Sequence, residues 1–361
     1  LSFHNVKFEP IYSRQSFLKN GKYIFWGGLT LASQNEGEGL FNQQLSSFLS
    51  LGGKIYYESP VTNLVFKNKK VKGVYLKDDI IMADAVILAS GGFEANEDLR
   101  KLFIGENWLK AKVRGTPYNT GDGIKMALKL GAKKHGLYDG CHATPMDLHM
   151  KNYGGLDLEP GERKNYRKIC YFLGIMINAK GRRFLDEGKN FRNYTYAQYG
   201  RKILEQPNHL AWQIFDSKVF ELLYEEYRFH DAHFVEAKTI DELIHKMDGV
   251  NKIETKNTII EYNNSIDLST SFDPTILDGK STKGLEINKS NWAQKIDTPP
   301  FRAFPVTGGI TFTYGGLKID ENGSVLNIND KPIGGLFACG ELVGGVFFNG
   351  YPGGSGLTSG A

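Results

Sequence analysis

The chain has 361 residues, carries 44 Lys and Arg against 40 Asp and Glu for a net charge of +4, and is 41% hydrophobic. That excludes a disordered chain, and the length predicts two or three domains. No charge-free apolar run of about 18 residues exists to cross a membrane directly, and no Lys/Arg block marks a nucleic-acid surface.

Asn35 to Leu51 reads as a helix, with Phe41, Leu45, Phe48 and Leu49 recurring at helical spacing and Gly52-Gly53 as its cap. Lys54–Tyr57, Val61–Phe66 and Val71–Leu76 read as strands. Ala83–Ala89 is a continuous apolar run, as expected of a strand buried on both faces of a parallel sheet. It runs into Ser90-Gly91-Gly92-Phe93. Gly123–Leu130 is a helix with Ile124, Ala127 and Leu128 on one face. From Cys141 the texture becomes more polar. Thr239–Glu242 is a capping box opening a helix through Met247, and Glu254–Ile266 reads as another helix. A glycine-rich β texture returns at Gly308, followed by a hairpin around Glu321-Asn322-Gly323 and a strand that stops at Gly340-Glu341. The pattern predicts an α/β domain interrupted by an inserted α+β domain: residues 1–143, an insert over 144–305, and a return segment over 306–361.

Glycine is the compositional outlier, 42 of 361 residues, or about 12% against a usual 7% or so. Its doublets sit beside apolar runs, including Gly27-Gly28, Gly91-Gly92 and Gly353-Gly354, and as a set they point to a large cofactor cradled by backbone. Four segments share that logic: Ile87–Phe93, Asn119–Gly123, Phe337–Glu341 and Tyr351–Leu357. Each places backbone N–H groups at a strand end or helix start, where pyrophosphate and ring oxygens bind. Glu341 is a candidate acceptor for ribityl or ribose hydroxyls, and Ser355-Gly356-Leu357 opens a helix toward an electron-rich ring oxygen.

Other signals read as structural. Cys141, Cys170 and Cys339 form no CxxC pair, which suits a reducing, cytoplasmic compartment; Cys339 is expected in buried core. Cys141 and His142 are neighbours in a strand and should face opposite ways. His230 and His233 lack a third metal ligand and are expected on a solvated face. Phe25-Trp26 and Phe347-Phe348 are expected in the core. No metal site is expected.

The segments ADAVILASGGFEAN, VRGTPYNTGDGIKMALKLGA, GRRFLDEG, ITFTYGGLKIDENG and FACGELVGG resemble the FAD-dependent fumarate reductase/succinate dehydrogenase flavoprotein family. RGTPYN, IDTPPF and GITFTY narrow the likeness to tricarballylate dehydrogenase-like proteins. The resemblance implies a Rossmann-like FAD domain with an inserted capping domain. It also implies that the glycine-rich segment holding the FAD pyrophosphate precedes Leu1, so a piece of a longer protein is expected, with about a hundred residues ahead of it. The implied FAD contacts are Val61, Ser90, Gly91, Gly92, Thr120, Gly121, Asp122, Gly340, Glu341, Ser355, Gly356 and Leu357. His142 matches the family's carboxylate-binding histidine and Arg192 its catalytic arginine, either as acid–base group or as a bidentate carboxylate clamp. Arg114 belongs to the RGTPYN match and is a candidate extra cation for a polycarboxylate.

Three departures stand out. Phe312 replaces a histidine, Tyr351 replaces a substrate-clamping arginine, and Arg167 and Cys170 replace the Glu and Arg that relay protons. Tyr351 resembles the tyrosine of ketosteroid dehydrogenases that polarises a ketone. The expected activity is α,β-desaturation of tricarballylate or a similar polycarboxylate, with hydride passing to flavin N5. A membrane electron-acceptor protein is the partner implied by the family. The alternatives are a fumarate or enoate reductase, a 3-ketosteroid-type dehydrogenase, and a flavin-fold binding subunit without turnover.

Overall fold

The computed structural model describes residues 4–26, 31–159, 162–164 and 166–356. Its opening part runs β1 (Phe8–Pro10), α1 (Tyr12–Gln15), β2 (Ser16–Lys19), β3 (Lys22–Phe25), β4 (Leu31–Ser33) and α2 (Glu36–Ser50). Then come β5 (Asn63–Lys67), β6 (Lys70–Tyr75), β7 (Ile80–Met82), β8 (Val86–Leu88), α3 (Glu97–Phe103), β9 (Lys112–Val113), α4 (Asp122–Lys129) and β10 (Lys134–His135). The central part holds β11 (Cys141–Asp147), β12 (Ile175–Asn178), α5 (Arg192–Leu204), β13 (Ala211–Asp216), β14 (Val235–Ala237), α6 (Ile240–Lys246) and α7 (Lys252–Ser265). The chain closes with β15 (Phe301–Thr313), β16 (Gly316–Leu317), β17 (Ser324–Leu326) and β18 (Pro332–Ala338).

Two six-stranded sheets organise these elements. One has the order β17-β18-β6-β5, with β8 also on β18 and β7 on β6. Strand β18 is parallel to both β6 and β8. Its core joins Leu88, Phe93, Ile124, Ala127 and Leu336. The other has the order β11-β15-β13-β12, with β9 and β14 also on β15. Side chains alternate across it: Met176 joins the cluster containing Tyr196 and Phe304, whereas Ile175 and Ile177 join Leu243, Ile259 and Tyr262 on the opposite face.

Strand β15 is the spine, pairing with β11, β13, β14 and β9 along its 13 residues. The expected domain borders at 143/144 and 305/306 fall inside β11 and β15, which pair with each other. Helix α5 lies close on this pair. A Cβ on Gly200 would stand 2.6 Å from the Ala143 and Thr144 backbone, and one on Gly308 would stand 2.3 Å from Gly200 O. Only glycine permits that approach.

Several local expectations need correction. Lys54–Tyr57 forms no strand. Helix α2 forms as expected, and Gly52 and Gly53 return hydrogen bonds to Leu49 O and Phe48 O. Its apolar face, however, leaves Phe41, Phe48 and Leu49 about half exposed among the described residues. Ile87 in β8 is 66% exposed, so that strand is buried on one face only. Cys339 is exposed, because β18 ends at Ala338 and the chain turns there. Trp26 is core, but Phe348 is 55% exposed. The Thr239 cap is present, its side chain accepting from Glu242 N at 3.2 Å. The doublet Gly27-Gly28 lies outside the described residues. No described helix is long and apolar enough to cross a membrane.

Candidate active site

The cofactor candidates gather where the two sheets meet. Gly91 and Gly92 follow β8, and Gly121 N donates to Gly92 O at 2.9 Å, drawing the start of α4 against them. Thr120 Oγ1 donates to Asp122 Oδ2 at 2.6 Å. Gly92 admits no side chain: a Cβ there would lie 2.1 Å from Glu341 Oε1 and 2.2 Å from Thr313 Oγ1. Glu341 Oε1 accepts from Thr313 N at 2.9 Å.

Beside Glu341 stands Glu94, 2% exposed. Asn119 Nδ2 donates to Glu94 Oε1 at 2.5 Å and to Glu341 Oε2 at 3.3 Å. Burial first, and then the Glu341 charge, push the Glu94 carboxyl up to about 9. Glu94 Oε2 is buried without a partner among the described residues. A cavity of about 300 Å³ opens here, lined by Thr311, Phe312, Thr313, Gly340, Glu341 and Gly356 among others.

Phe312 links that cavity to an aromatic chamber. It lies directly opposite His142 across the β11–β15 ladder, and the rings stack with centroids 5.1 Å apart. A bulge between His142 and Ala143 sets this register. The His142 ring also meets Tyr351 edge-on at 4.8 Å and Tyr196 at 5.0 Å. Its Nδ1 is buried without a partner among the described residues. Burial, followed by the charges of Arg114 and Arg167, holds the imidazole well below its ordinary value, so it is neutral at pH 7. Cys141 faces away, its Sγ 3.9 Å from Arg201 Nη2, and burial pushes its thiol up to about 12.

Arg192 faces this chamber, its guanidinium carbon 6.0 Å from the Tyr196 ring centre. The charges of Arg114, Arg167 and Arg192 all act on the Tyr196 hydroxyl, although burial, followed by Tyr351, still pushes that phenol up to about 12. Arg114 follows β9, its N–H donating to Ile310 O at 2.9 Å and its Nη1 to Thr311 Oγ1 at 3.4 Å. Arg192 is the first residue of α5, and its Nε donates to Tyr224 Oη at 2.8 Å. Burial works against its charge, but Tyr224 and then Tyr196 outweigh it and hold the guanidinium above its ordinary range.

Arg114, His142, Arg192 and Tyr351, expected from the sequence, are thus brought together. Ser90 and Gly91 adjoin Gly92 and the start of α4. Gly123 is held to glycine there, since a Cβ on it would lie 2.3 Å from Ser90 Oγ. Gly340, at φ +71°, and Gly356 line the cavity, while Ser355 Oγ donates to Pro352 O at 2.7 Å. Val61 precedes β5 and does not reach the cavity lining. Leu357 lies outside the described residues. Arg183 and Glu187 form a buried pair at 2.5 Å away from the chamber, a structural role. Tyr196, Tyr224 and the Glu94–Asn119 contact escaped the reading of the sequence. Only Tyr196 left a signal there, four residues after Arg192 on one helix face.

A glycine cradle at strand ends, beside a buried carboxylate and opening onto a ligand-sized cavity, suits a protein that binds a dinucleotide cofactor. The family model described as "FAD binding domain" matches residues 29–357. The chain belongs to that family, and FAD is its cofactor. It is 28% identical over 327 residues to an NADH:acrylate oxidoreductase of Vibrio harveyi, covering 84% of this chain and 29% of that protein. It is 30% identical over 281 residues to a fumarate reductase (cytochrome) of Shewanella frigidimarina, covering 76% and 43%. The chain therefore spans less than half the length of either relative. Its fold is also that of 3-ketosteroid delta1-dehydrogenase from Sterolibacterium denitrificans, with a TM-score of 0.69 at 23% identity, covering 91% of this chain and 61% of that one.

Proposed function

We propose that this chain is part of an FAD-dependent oxidoreductase that acts on a CH–CH bond beside a carboxylate. The observation that carries this reading is the Arg192 guanidinium 6.0 Å from the Tyr196 ring and Arg114 on the cavity-lining Thr311, next to neutral His142 with its open Nδ1. Two cations, Arg114 and Arg192, beside an apolar aromatic wall fit a small anionic substrate with more than one carboxylate, such as tricarballylate. In this arrangement residues 1–143 and 306–361 form the Rossmann-like part and residues 144–305 the cap.

The residues present fit FAD. Gly91, Gly92, Thr120, Gly121, Asp122, Gly340 and Glu341 would hold it, with Glu341 on hydroxyl groups and Gly356 by the ring. When bound, FAD supplies the hydride acceptor for desaturation, or the donor in reverse. The chain's own residues do the rest. Arg192, held charged by Tyr224, clamps a carboxylate and stabilises enolate-like charge at the carbon that loses its proton. His142 contributes a neutral polar contact. Phe312, Phe347 and Tyr351 exclude water from the reacting carbons.

The first experiment is anaerobic titration of the full-length, FAD-loaded protein with tricarballylate, succinate and a 3-ketosteroid, following the visible flavin band. Bleaching by a carboxylate is the expected result. Bleaching by the steroid alone moves the assignment to the ketosteroid reading that Tyr351 favours. With no bleaching at all, reoxidation of the reduced protein by fumarate or aconitate identifies a reductase, and its failure removes the enzymatic reading in favour of a binding subunit.

A further inference from the structure

The cofactor cradle holds more acceptors than donors. Glu341 Oε1 accepts from the Thr313 N–H at 2.9 Å, and the Asn119 amide donates both to Glu94 Oε1 and to Glu341 Oε2. Glu94 Oε2 is left with no donor among the described residues, and solvent does not reach it. An ionised Glu94 would keep that desolvated oxygen unpaired and set a second carboxylate beside Glu341. A proton on Glu94 removes both faults. The carboxylic acid becomes a donor, and Glu341 lies within hydrogen-bonding reach to accept from it.

The charged groups around this pair do not supply the donor. Arg100 of α3 donates from Nη1 to the Glu94 main-chain oxygen at 2.9 Å, and its Nη2 lies 3.7 Å from Glu97. Asp122, at the start of α4, is exposed and paired with Lys125 at 2.7 Å. Cys141 of β11 keeps its proton, its thiol pushed up by burial. The glycine doublet is shaped to the network. A Cβ on Gly91 would stand 2.6 Å from Asn119 Oδ1, and one on Gly92 would stand 2.1 Å from Glu341 Oε1.

We infer that Glu94 is a positioning residue of the cofactor cradle: as a neutral acid it donates to Glu341, and so holds that carboxylate charged and aimed at the hydroxyls of FAD. The inference rests on the placing of Glu341 against FAD given above. Loss of the Glu94 proton would put two like charges in one dry pocket beside an anionic cofactor. It would also break the bond that orients Glu341. FAD affinity therefore falls as Glu94 ionises, and at alkaline pH the binding of FAD takes up a proton. The Arg100 charge favours ionised Glu94, whereas Glu341 opposes it, and burial sides with Glu341.

The test is the FAD dissociation constant of the full-length protein, read by flavin fluorescence from about pH 7 to about pH 10. Wild type should bind more weakly as pH rises through about 9, by up to about tenfold per pH unit for one proton. Glu94→Gln mimics the neutral acid, since its amide N–H can donate to Glu341 and its oxygen can accept from Asn119. It should match wild type at about pH 7 and fall less than wild type above about pH 9; titration of FAD itself is common to both proteins. Glu94→Ala should bind FAD about tenfold more weakly even at about pH 7. The infrared spectrum of wild type should carry a protonated-carboxyl band at about pH 7 that Glu94→Gln lacks. A Glu94→Gln protein that binds FAD weakly at about pH 7, or whose affinity follows wild type at alkaline pH, overturns the inference. A Glu341→Gln protein that keeps full FAD affinity removes the placing of Glu341 as well. None of these readings uses a substrate, so the desaturation reading stands or falls apart from them.

Discussion

Glu94 and Glu341 share a single amide donor, Asn119, and sit in a pocket too dry for two charges. One of them keeps its proton at neutral pH, and the rise of the Glu94 carboxyl to about 9 marks it as the holder. Between about pH 4.5 and about 9 the unfolded chain has lost this proton and the folded chain has not, so stability falls as pH rises through that window. Glu94→Gln removes the penalty. The variant should melt higher than wild type at pH 8 by roughly 2 °C or more, and equally at pH 4, as followed by thermal scans.

Arg192→Ala should leave FAD bound and lower turnover by about a hundredfold or more, because a guanidinium clamp on developing charge is lost. Arg192→Lys should recover little of it, since an ammonium lacks the forked geometry. Single-turnover reduction of the bound flavin checks both. An unchanged rate in the alanine variant would sink the assignment of this residue.

His142 titrates in the opposite sense from Glu94. Its imidazole is held well below its ordinary value, so below about pH 6.5 the unfolded chain gains a proton that the folded chain refuses. That contribution to stability is present above pH 6.5 and is lost as pH falls, at up to about 1.4 kcal/mol per unit. His142→Phe should therefore flatten the acid side of the melting curve. It should also abolish the change in flavin spectrum on adding a carboxylate.

Gly200→Ala drives a methyl group into the backbone of β11. The expected cost is about 1–3 kcal/mol, read as a lower denaturant midpoint at unchanged slope. Activity should fall as well, because the same helix carries Arg192 and Tyr196.

The elements with local signatures were legible in the sequence: the caps at Thr239 and Gly52, the helix at Asp122–Lys129 and the strand ending at Gly340-Glu341. Arg192 and His142 were singled out through resemblance, and the structure adds that both lie beside the Tyr196 ring. What stayed hidden was long-range. Glu226 supports Arg167 across 59 residues of sequence, and Glu94 meets Glu341 across an even longer separation. No periodicity or spacing rule encodes such pairs. Ile87 misled for a related reason: an apolar run shows that a strand can be buried, while its neighbours decide how much of it is.

The β11–β15 ribbon carries the last consequence. It carries both borders expected from the sequence, 143/144 and 305/306, inside paired strands, so no slack loop lies at either. Any bend at these positions must deform paired backbone, and the irregular step between His142 and Ala143 is where the regular pairing is interrupted. Any shift along this ribbon moves His142 and Phe312 together, because the two stay paired and stacked across it.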